Sequence, residues 1–201
     1  MNKIQRLEYL KNLSLNIPVS IVLSPDNGIE EHHREFFKQY KRLNLRTFRD
    51  GSRRNNPLFT ATNKDELINN ILPEMLNQGY HCIVGEPVEP LSRIFSGTCW
   101  KRKNNDPIIV EIAYGQYTPR RVTNDGIVDE RYETKKPNTK NEAVNRIIKL
   151  VNNIKDEHFI LEFSLCKNPV GIKNENLVFW EINDDGLGSP RFDAKEELEN
   201  E

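Results

Sequence analysis

Two segments near the C-terminus alternate between polar and large apolar residues, and this pattern constrains the fold more than any other feature. Residues 161–165 read Leu-Glu-Phe-Ser-Leu, and residues 178–183 read Val-Phe-Trp-Glu-Ile-Asn. A period of two is typical of β-strands that bury one face and leave the other face polar. We therefore expect two strands of a sheet whose core lies on one side.

The alternation places three oxygen-bearing side chains on the polar faces of these strands. Glu162 shares a face with Ser164, and Glu181 shares a face with Asn183, whereas Trp180 is expected to turn toward the core. If the strands are neighbours, Glu162, Glu181 and Asn183 converge and form a set of oxygen ligands that suits Mg²⁺. The alternative is that both glutamates face solvent on an antiparallel sheet.

The composition is that of a polar chain that can still bury a core. Its 201 residues suit one domain, or two small lobes that share a core. The 29 basic and 30 acidic residues nearly balance, which predicts neither a nucleic-acid nor a membrane partner. Cys82, Cys99 and Cys166 lie far apart, which is typical of reduced thiols in the cytosol. Since no apolar run approaches the ~18 residues of a membrane span, we expect a soluble, cytoplasmic protein.

The order of the predicted elements indicates an α+β fold. Four helices are predicted, over residues 3–14, 30–42, 63–76 and 140–155, and the first and the last of them carry apolar residues at the helical period. Asn63 is the predicted N-cap of the third helix. From Tyr80 onward, short strand patterns alternate with turn residues, which predicts a mostly antiparallel sheet with flanking helices. We expect two small lobes, over residues 1–78 and 79–186, and an acidic, disordered tail over residues 187–201.

Several short segments, taken in order, resemble a known family. They are the lysine, helix, proline and strand of residues 3–25, Arg-Thr-Phe-Arg at 46–49, Ile-Val-Gly-Glu-Pro-Val at 83–88, Val-Glu-Ile at 110–112, Glu162, and Glu-Ile-Asn at 181–183. This order resembles the ATP-binding (ATP-grasp) domain of phosphoenolpyruvate synthase, pyruvate phosphate dikinase and rifampicin phosphotransferase, in a compact, stand-alone version. The resemblance covers most of residues 3–183 and implies an ATP-grasp fold.

The resemblance also implies which residues hold the phosphates of ATP. Lys3 matches a lysine that contacts ATP phosphates in the family. The family's phosphate-binding arginine falls within residues 46–52, where Arg49 is our first choice for the catalytic arginine and Arg46 is the second. Glu111 has two readings, because it could orient phosphate-binding groups or pair with a nearby arginine.

The adenine and metal ligands are implied by the same resemblance. Glu86 and Val88 fall in the hinge that holds adenine through backbone N–H and C=O groups, and the Glu86 side chain could accept a bond from ribose or the adenine amine. Glu162 matches a metal-binding acid of the family. Glu181 and Asn183 replace the family's Gln-x-Arg with Glu-x-Asn, which is the metal-binding end of the ATP-grasp ligases.

Three functions remain open on the sequence. The first is Mg²⁺-dependent phosphotransfer from ATP onto an unidentified acceptor, with a separate phosphohistidine-domain protein as a partner, or the carboxylate ligation of other ATP-grasp enzymes. The second is a catalytically inactive nucleotide-binding or interaction module. The third is a nucleic-acid-binding protein that uses the arginines of residues 46–54, which the balanced charge of the chain disfavours.

Overall fold

The computed structural model describes residues 3–49, 56–103, 106–116, 119, 122, 126–155 and 158–184. The helices are α1 (Lys3–Asn12), α2 (Glu31–Lys38), α3 (Lys64–Glu66), α4 (Leu72–Asn77) and α5 (Glu142–Asn152). The strands are β1 (Ser20–Leu23), β2 (Arg42–Phe48), β3 (Leu58–Asn63), β4 (His81–Gly85), β5 (Arg93–Lys101), β6 (Ile108–Tyr114), β7 (Glu130–Thr134), β8 (Phe159–Val170) and β9 (Glu175–Asp184). The predicted tail and the arginines at 53 and 54 lie outside the described residues.

The first sheet has the strand order β1-β4-β2-β3, and its neighbouring strands are antiparallel. One face packs against α2 and against the α3–α4 segment, in which a wider π-helical turn at Leu67–Ile71 joins the two helices. Asn63 caps α3 as predicted, because its side-chain oxygen accepts from the backbone N–H groups of Asp65 and Glu66. This sheet and its helices enclose a core of their own.

The two sheets meet at a boundary that differs from the predicted one. The sequence places the start of the second lobe at residue 79, yet β4 (His81–Gly85) pairs with β1 and β2 of the first sheet. The chain changes sheet in the short segment that joins β4 to β5. The strand pattern at residues 80–84 was visible in the sequence, but its partners were not, because pairing is set by strands that lie far apart in the chain.

The second sheet has the strand order β7-β6-β5-β8-β9 and is also antiparallel. One of its faces packs against α1 and α5, and this contact forms the larger core. Gly97 lies in the middle of β5, where an added Cβ would come within 2.2 Å of the Glu111 carbonyl oxygen and 2.7 Å of the Phe163 ring. Glycine therefore allows β6 and the core to approach β5 closely.

The predicted α+β class with antiparallel sheets and flanking helices is confirmed. All three cysteines are free, as their spacing predicts, and they are buried. Among the helices that the structure describes, none is long and apolar enough to cross a bilayer.

Candidate functional site

The glutamates of the two alternating segments lie side by side on adjoining strands. In the β8–β9 pair, Glu162 is the direct cross-strand partner of Glu181. Side chains of directly opposed residues lie on the same face of a sheet, with Cβ atoms about 5 Å apart. Asn183 lies two residues beyond Glu181, opposite Ile160, and shares that face. The structure thus brings the three predicted metal ligands together.

A β-bulge in β9 changes the predicted orientation of Trp180. Glu162 pairs with Glu181, but the next residue, Phe163, pairs with Phe179, so that Trp180 is an extra residue in β9. Its indole lines the cleft beside Glu181, and its Nε1 donates to the Ser164 hydroxyl at 2.9 Å. The prediction that Trp180 turns toward the core is therefore wrong, because simple alternation fails where a strand is bulged.

Three cations surround the Glu181 carboxylate. Arg6 of α1 donates through Nη1 to Glu181 Oε1 at 3.2 Å and also to the side-chain oxygen of Asn183. Arg46 of β2 donates through Nη2 to Glu181 Oε2, and through Nη1 to the Trp180 carbonyl oxygen at 2.9 Å. Lys3 contributes a third positive charge. These contacts bring together α1, β2 of the first sheet and β9 of the second sheet.

The ionisation of Glu181 follows from these neighbours. Burial by itself would raise the pKa of this carboxyl group, but the charges of Arg46, Lys3 and Arg6 more than offset that effect, and the pKa is lowered. Glu181 is therefore an anion at neutral pH. It can attract a divalent cation, but only in competition with cations of the protein itself.

A row of polar side chains continues from these glutamates across the second sheet. Cross-strand pairing links Glu181 to Glu162, then to Thr98, Glu111 and Arg131. Glu111 is buried, its Oε1 lies 3.6 Å from Arg131 Nη1, and burial raises its pKa while the arginine lowers it less. Of the two readings of Glu111, the pairing with an arginine is the one whose contact the structure describes.

The face of the second sheet that carries this row borders a cleft. The cleft encloses about 760 Å³, including the part that is open to solvent. It is lined by Lys3, Asn44, Arg46, Thr47, Asn56, Pro57, Leu58, Thr60, Arg93, Pro119, Glu162, Trp180 and Glu181. The predicted phosphate-contacting lysine, one of the two predicted arginines and two of the predicted metal ligands therefore share one cavity.

Arg93 is a lining residue that the sequence analysis missed. It is only 6% exposed, and its guanidinium carbon lies 5.6 Å from the centre of the Trp180 ring. A second bulge, at Ile94, separates Arg93 from Phe95 in the pairing of β5 with β8. Without that bulge, alternation would place Arg93 on the core face together with Phe95, and for this reason the sequence held no signal for it.

Arg49, the first choice for the phosphate-binding arginine, lies away from the cleft. Its guanidinium carbon lies 4.0 Å from the centre of the Tyr80 ring, and its Nη2 donates to the Gln78 carbonyl oxygen. Arg49 directly follows the end of β2, whereas Arg46 lies within β2 and faces β9. The structure thus joins Arg46, but not Arg49, to the predicted metal ligands.

The predicted adenine hinge has a different set of contacts from those of the cleft. Glu86 follows β4, and its Oε1 accepts from the backbone N–H groups of Val19 at 2.8 Å and Gly171 at 2.6 Å. The Val88 side chain is fully buried. The Glu86 side chain therefore connects the first sheet to the turn between β8 and β9.

The donor set fits Mg²⁺ better than it fits a transition metal. Within the part of the chain that the structure describes, no three His, Cys, Asp or Glu side chains lie close enough to hold a metal ion. Two carboxylates and an amide oxygen are hard ligands, and they suit an ion that keeps several waters and shares substrate phosphates.

Comparison with known proteins gives relatives by structure alone. No protein-family model and no curated protein matches this sequence. A RiPP-associated ATP-grasp ligase from Chryseobacterium gregarium, in complex with ADP and a leader and core peptide, superposes with a TM-score of 0.50 at 13% identity, over 91% of this chain and 51% of that one. D-alanyl-alanine synthetase A from Vibrio cholerae gives a TM-score of 0.50 at 14% identity, over 92% and 55% of the two chains.

D-alanine–D-alanine ligase from Bacillus anthracis, complexed with ATP, gives a TM-score of 0.51 at 12% identity, over 96% of this chain and 58% of that one. This chain thus spans about half the length of the ligases that it matches. These ligases do not support the phosphoenolpyruvate synthase and pyruvate phosphate dikinase subfamily that the sequence suggested. They do establish the architecture: the chain has an α+β fold of the ATP-grasp type.

Proposed function

We propose that the cleft binds ATP with Mg²⁺ and that the chain is the nucleotide-binding part of an ATP-dependent carboxylate ligase. The observation that carries this proposal is the direct pairing of Glu162 with Glu181 in a cleft that Arg46 also lines, in contact with Glu181. Phosphoryl transfer depends on positioning and on charge stabilisation more than on covalent help from protein. A cleft with carboxylates on one strand pair and cations around them offers both.

The two groups of side chains take different roles in the proposal. Glu162, Glu181 and Asn183 would hold Mg²⁺, which when bound neutralises charge on the phosphate oxygens. Arg46 and Lys3 line the same cleft and would contact those phosphates, because a guanidinium can bind oxyanions through two parallel hydrogen bonds. The adenine would lie against the hinge backbone near Val88, as the resemblance implies.

In the proposed reaction, a carboxylate oxygen of the substrate attacks the γ-phosphorus of ATP, and ADP leaves. An amine then attacks the carbonyl carbon of the acyl phosphate, phosphate leaves, and the proton of the amine passes to water. The residues of this chain bind the nucleotide and orient its γ-phosphate toward the attacking oxygen. The ligase structures support this chemistry over transfer to a histidine, and none of the three ligases compared above supports a phosphohistidine-domain partner.

Binding is tested by equilibrium dialysis of ATP in the presence of Mg²⁺. We expect wild type to bind ATP, Glu162→Gln to bind at least about tenfold more weakly, since a metal ligand loses its charge, and Glu35→Gln to match wild type. Glu35 is an exposed glutamate of α2 and serves as the control. Equal binding by wild type and Glu162→Gln would refute the metal site.

The reaction class is tested by trapping. Wild type is incubated with ATP, Mg²⁺, hydroxylamine and a pool of amino acids and short peptides. Hydroxamate that forms only when both ATP and a carboxylate are present would establish an acyl phosphate and hence ligase chemistry. ATP binding without hydroxamate or ADP formation would instead establish the alternative, a nucleotide-binding module without catalysis.

A further inference from the structure

Arg6 of α1 makes contacts that the proposed nucleotide site does not explain. Its Nη1 donates to both Glu181 and Asn183, the two β9 residues that would bind Mg²⁺. A guanidinium held between these two oxygens carries positive charge where the proposed metal would carry it. Arg6 was not singled out by the sequence, in which it reads as one more cation on a charged helix.

The position of Arg6 is set by the fold. Helix α1 packs against β9, so that the Arg6 side chain approaches β9 from a rigid element. The Arg6 side chain is 20% exposed, and its Nε is buried without a hydrogen-bond partner among the described residues. Much of the hydrogen bonding of this guanidinium therefore depends on Glu181 and Asn183.

The charge balance of the site also opposes the binding of a metal ion by itself. Among the described residues, four cations border or contact the site, namely Lys3, Arg6, Arg46 and Arg93, against the two carboxylates Glu162 and Glu181. The excess of positive charge opposes a divalent cation that arrives alone. A nucleotide triphosphate would reverse the balance and allow both ligands to bind together.

We infer that Arg6 is an internal competitor of Mg²⁺ at Glu181 and Asn183, and that it makes metal binding conditional on nucleotide. This inference rests on the proposed function, because it takes those two residues as metal ligands. Arg6 would be a positioning residue: in the absence of metal it holds both side chains in place, and it releases them when the metal binds with ATP. The metal-free site then stays ordered without accepting a free divalent cation.

The test measures the binding of Mn²⁺ alone, with free Mn²⁺ followed by electron paramagnetic resonance. We expect wild type to bind Mn²⁺ weakly and Arg6→Gln to bind it at least about tenfold more tightly, because a like charge next to the site has been removed. Arg34→Gln, at an exposed position of α2, should match wild type. Arg6→Lys, which keeps the charge, should stay near the wild-type affinity.

A double variant locates the new Mn²⁺ site. Adding Glu162→Gln to Arg6→Gln should abolish the gain in Mn²⁺ affinity if the metal binds on the β8–β9 hairpin. A gain that survives in the double variant, or no gain in a folded Arg6→Gln, would overturn the inference. If circular dichroism shows that Arg6→Gln is unfolded, Arg6→Met replaces it, because methionine removes the charge but keeps an apolar stem along the helix.

The two proposals fail in different ways. A tighter Mn²⁺ site in Arg6→Gln, together with no binding of ATP by wild type, would support the competition and refute the nucleotide site. Binding of ATP with Mg²⁺ by wild type, together with unchanged Mn²⁺ affinity in Arg6→Gln, would do the reverse.

Discussion

The two faces of the second sheet use the same strands for different purposes. On the face that packs against α1 and α5, side chains such as Phe95, Cys99 and Phe163 are almost fully buried and apolar. On the other face, the cross-strand row from Glu181 to Arg131 is polar and reaches the cleft. Stability is thus concentrated on one face and the proposed chemistry on the other, with neighbouring residues of one strand assigned to each.

Lys101 sharpens this contrast, because it is a charged residue on the core side. It is 5% exposed, and its Nζ donates to the carbonyl oxygens of Val151 and Ile154 at the end of α5. Backbone carbonyls at a helix C-terminus carry partial negative charge and stabilise a cation. The charge on the core face therefore bonds to backbone carbonyls, whereas on the cleft face the carboxylates of Glu181 and Glu111 pair with arginines.

The largest expected effect is on the core face, at Phe163. Because its side chain is fully buried, Phe163→Ala should lower the free energy of unfolding by about 3–5 kcal/mol, through lost burial and the cavity that remains. Urea denaturation followed by circular dichroism measures this change.

The neighbouring residue on the cleft face provides the matched comparison. Glu162→Gln should change the free energy of unfolding by less than about 1 kcal/mol, yet weaken the binding of ATP with Mg²⁺ at least about tenfold. If Glu162→Gln destabilised the protein as much as Phe163→Ala, the division of labour between the two faces would be wrong.

The second prediction concerns the end of the β8–β9 hairpin, where Glu86 ties it to the first sheet. Glu86→Ala leaves the backbone N–H groups of Val19 and Gly171 without their acceptor, and should cost about 2 kcal/mol of stability. Glu89→Ala is the control, since the Glu89 side chain makes an exposed ion pair with Arg42, and its loss should cost less than about 0.5 kcal/mol.

Ligand binding separates the two roles that Glu86 can have. If its side chain serves mainly to hold the hairpin, Glu86→Ala should bind ATP with nearly unchanged affinity at a temperature where it remains folded. A variant that is fully stable but no longer binds ATP would restore the role of a nucleotide ligand that the sequence suggested. Equilibrium dialysis next to urea denaturation distinguishes these results.

The sequence was informative where the orientation of a side chain follows from the local period of the strand alone. The alternation in residues 161–165 placed Glu162 opposite the core, and the Glu-x-Asn spacing placed Glu181 and Asn183 on one face, as the structure has them. The local residue types also predicted the N-cap at Asn63. These features depend on neighbours within a few residues, which a single sequence contains.

The sequence was uninformative where orientation depends on pairing with a distant strand. The bulges at Trp180 and Ile94 turn Trp180 and Arg93 into the cleft, and a bulge exists only relative to a partner strand. The sequence could not decide between Arg46 and Arg49 for the same reason, because the decision depends on where β2 ends and on which distant strand faces it. Arg6 was missed because its partners lie about 175 residues away.

Two glutamates of the polar row should respond to pH in opposite directions, and this is the smallest expected effect. The pKa of Glu181 is lowered by its cationic neighbours, so the unfolded chain binds its proton first as the pH falls through the usual value near 4.5. Glu181 therefore stabilises the folded protein above that pH, and the protein loses this contribution as the pH falls further. The pKa of Glu111 is raised by burial, so the folded chain holds its proton longer and loses stability as the pH rises above about 4.5.

The measurement compares Glu181→Gln and Glu111→Gln with wild type by urea denaturation at several pH values from about 4 to 7. Relative to wild type, Glu181→Gln should become progressively less stable as the pH rises, because wild type gains the ion pairs with Arg46 and Arg6 that the variant lacks. Glu111→Gln should show the opposite trend, since it removes a carboxyl group that is costly to ionise in its buried position. Parallel pH curves for the two variants would mean that neighbouring cations offset the cost of burying the charge equally well at Glu111 and at Glu181. The excess of cations would then not be confined to the surroundings of Glu181.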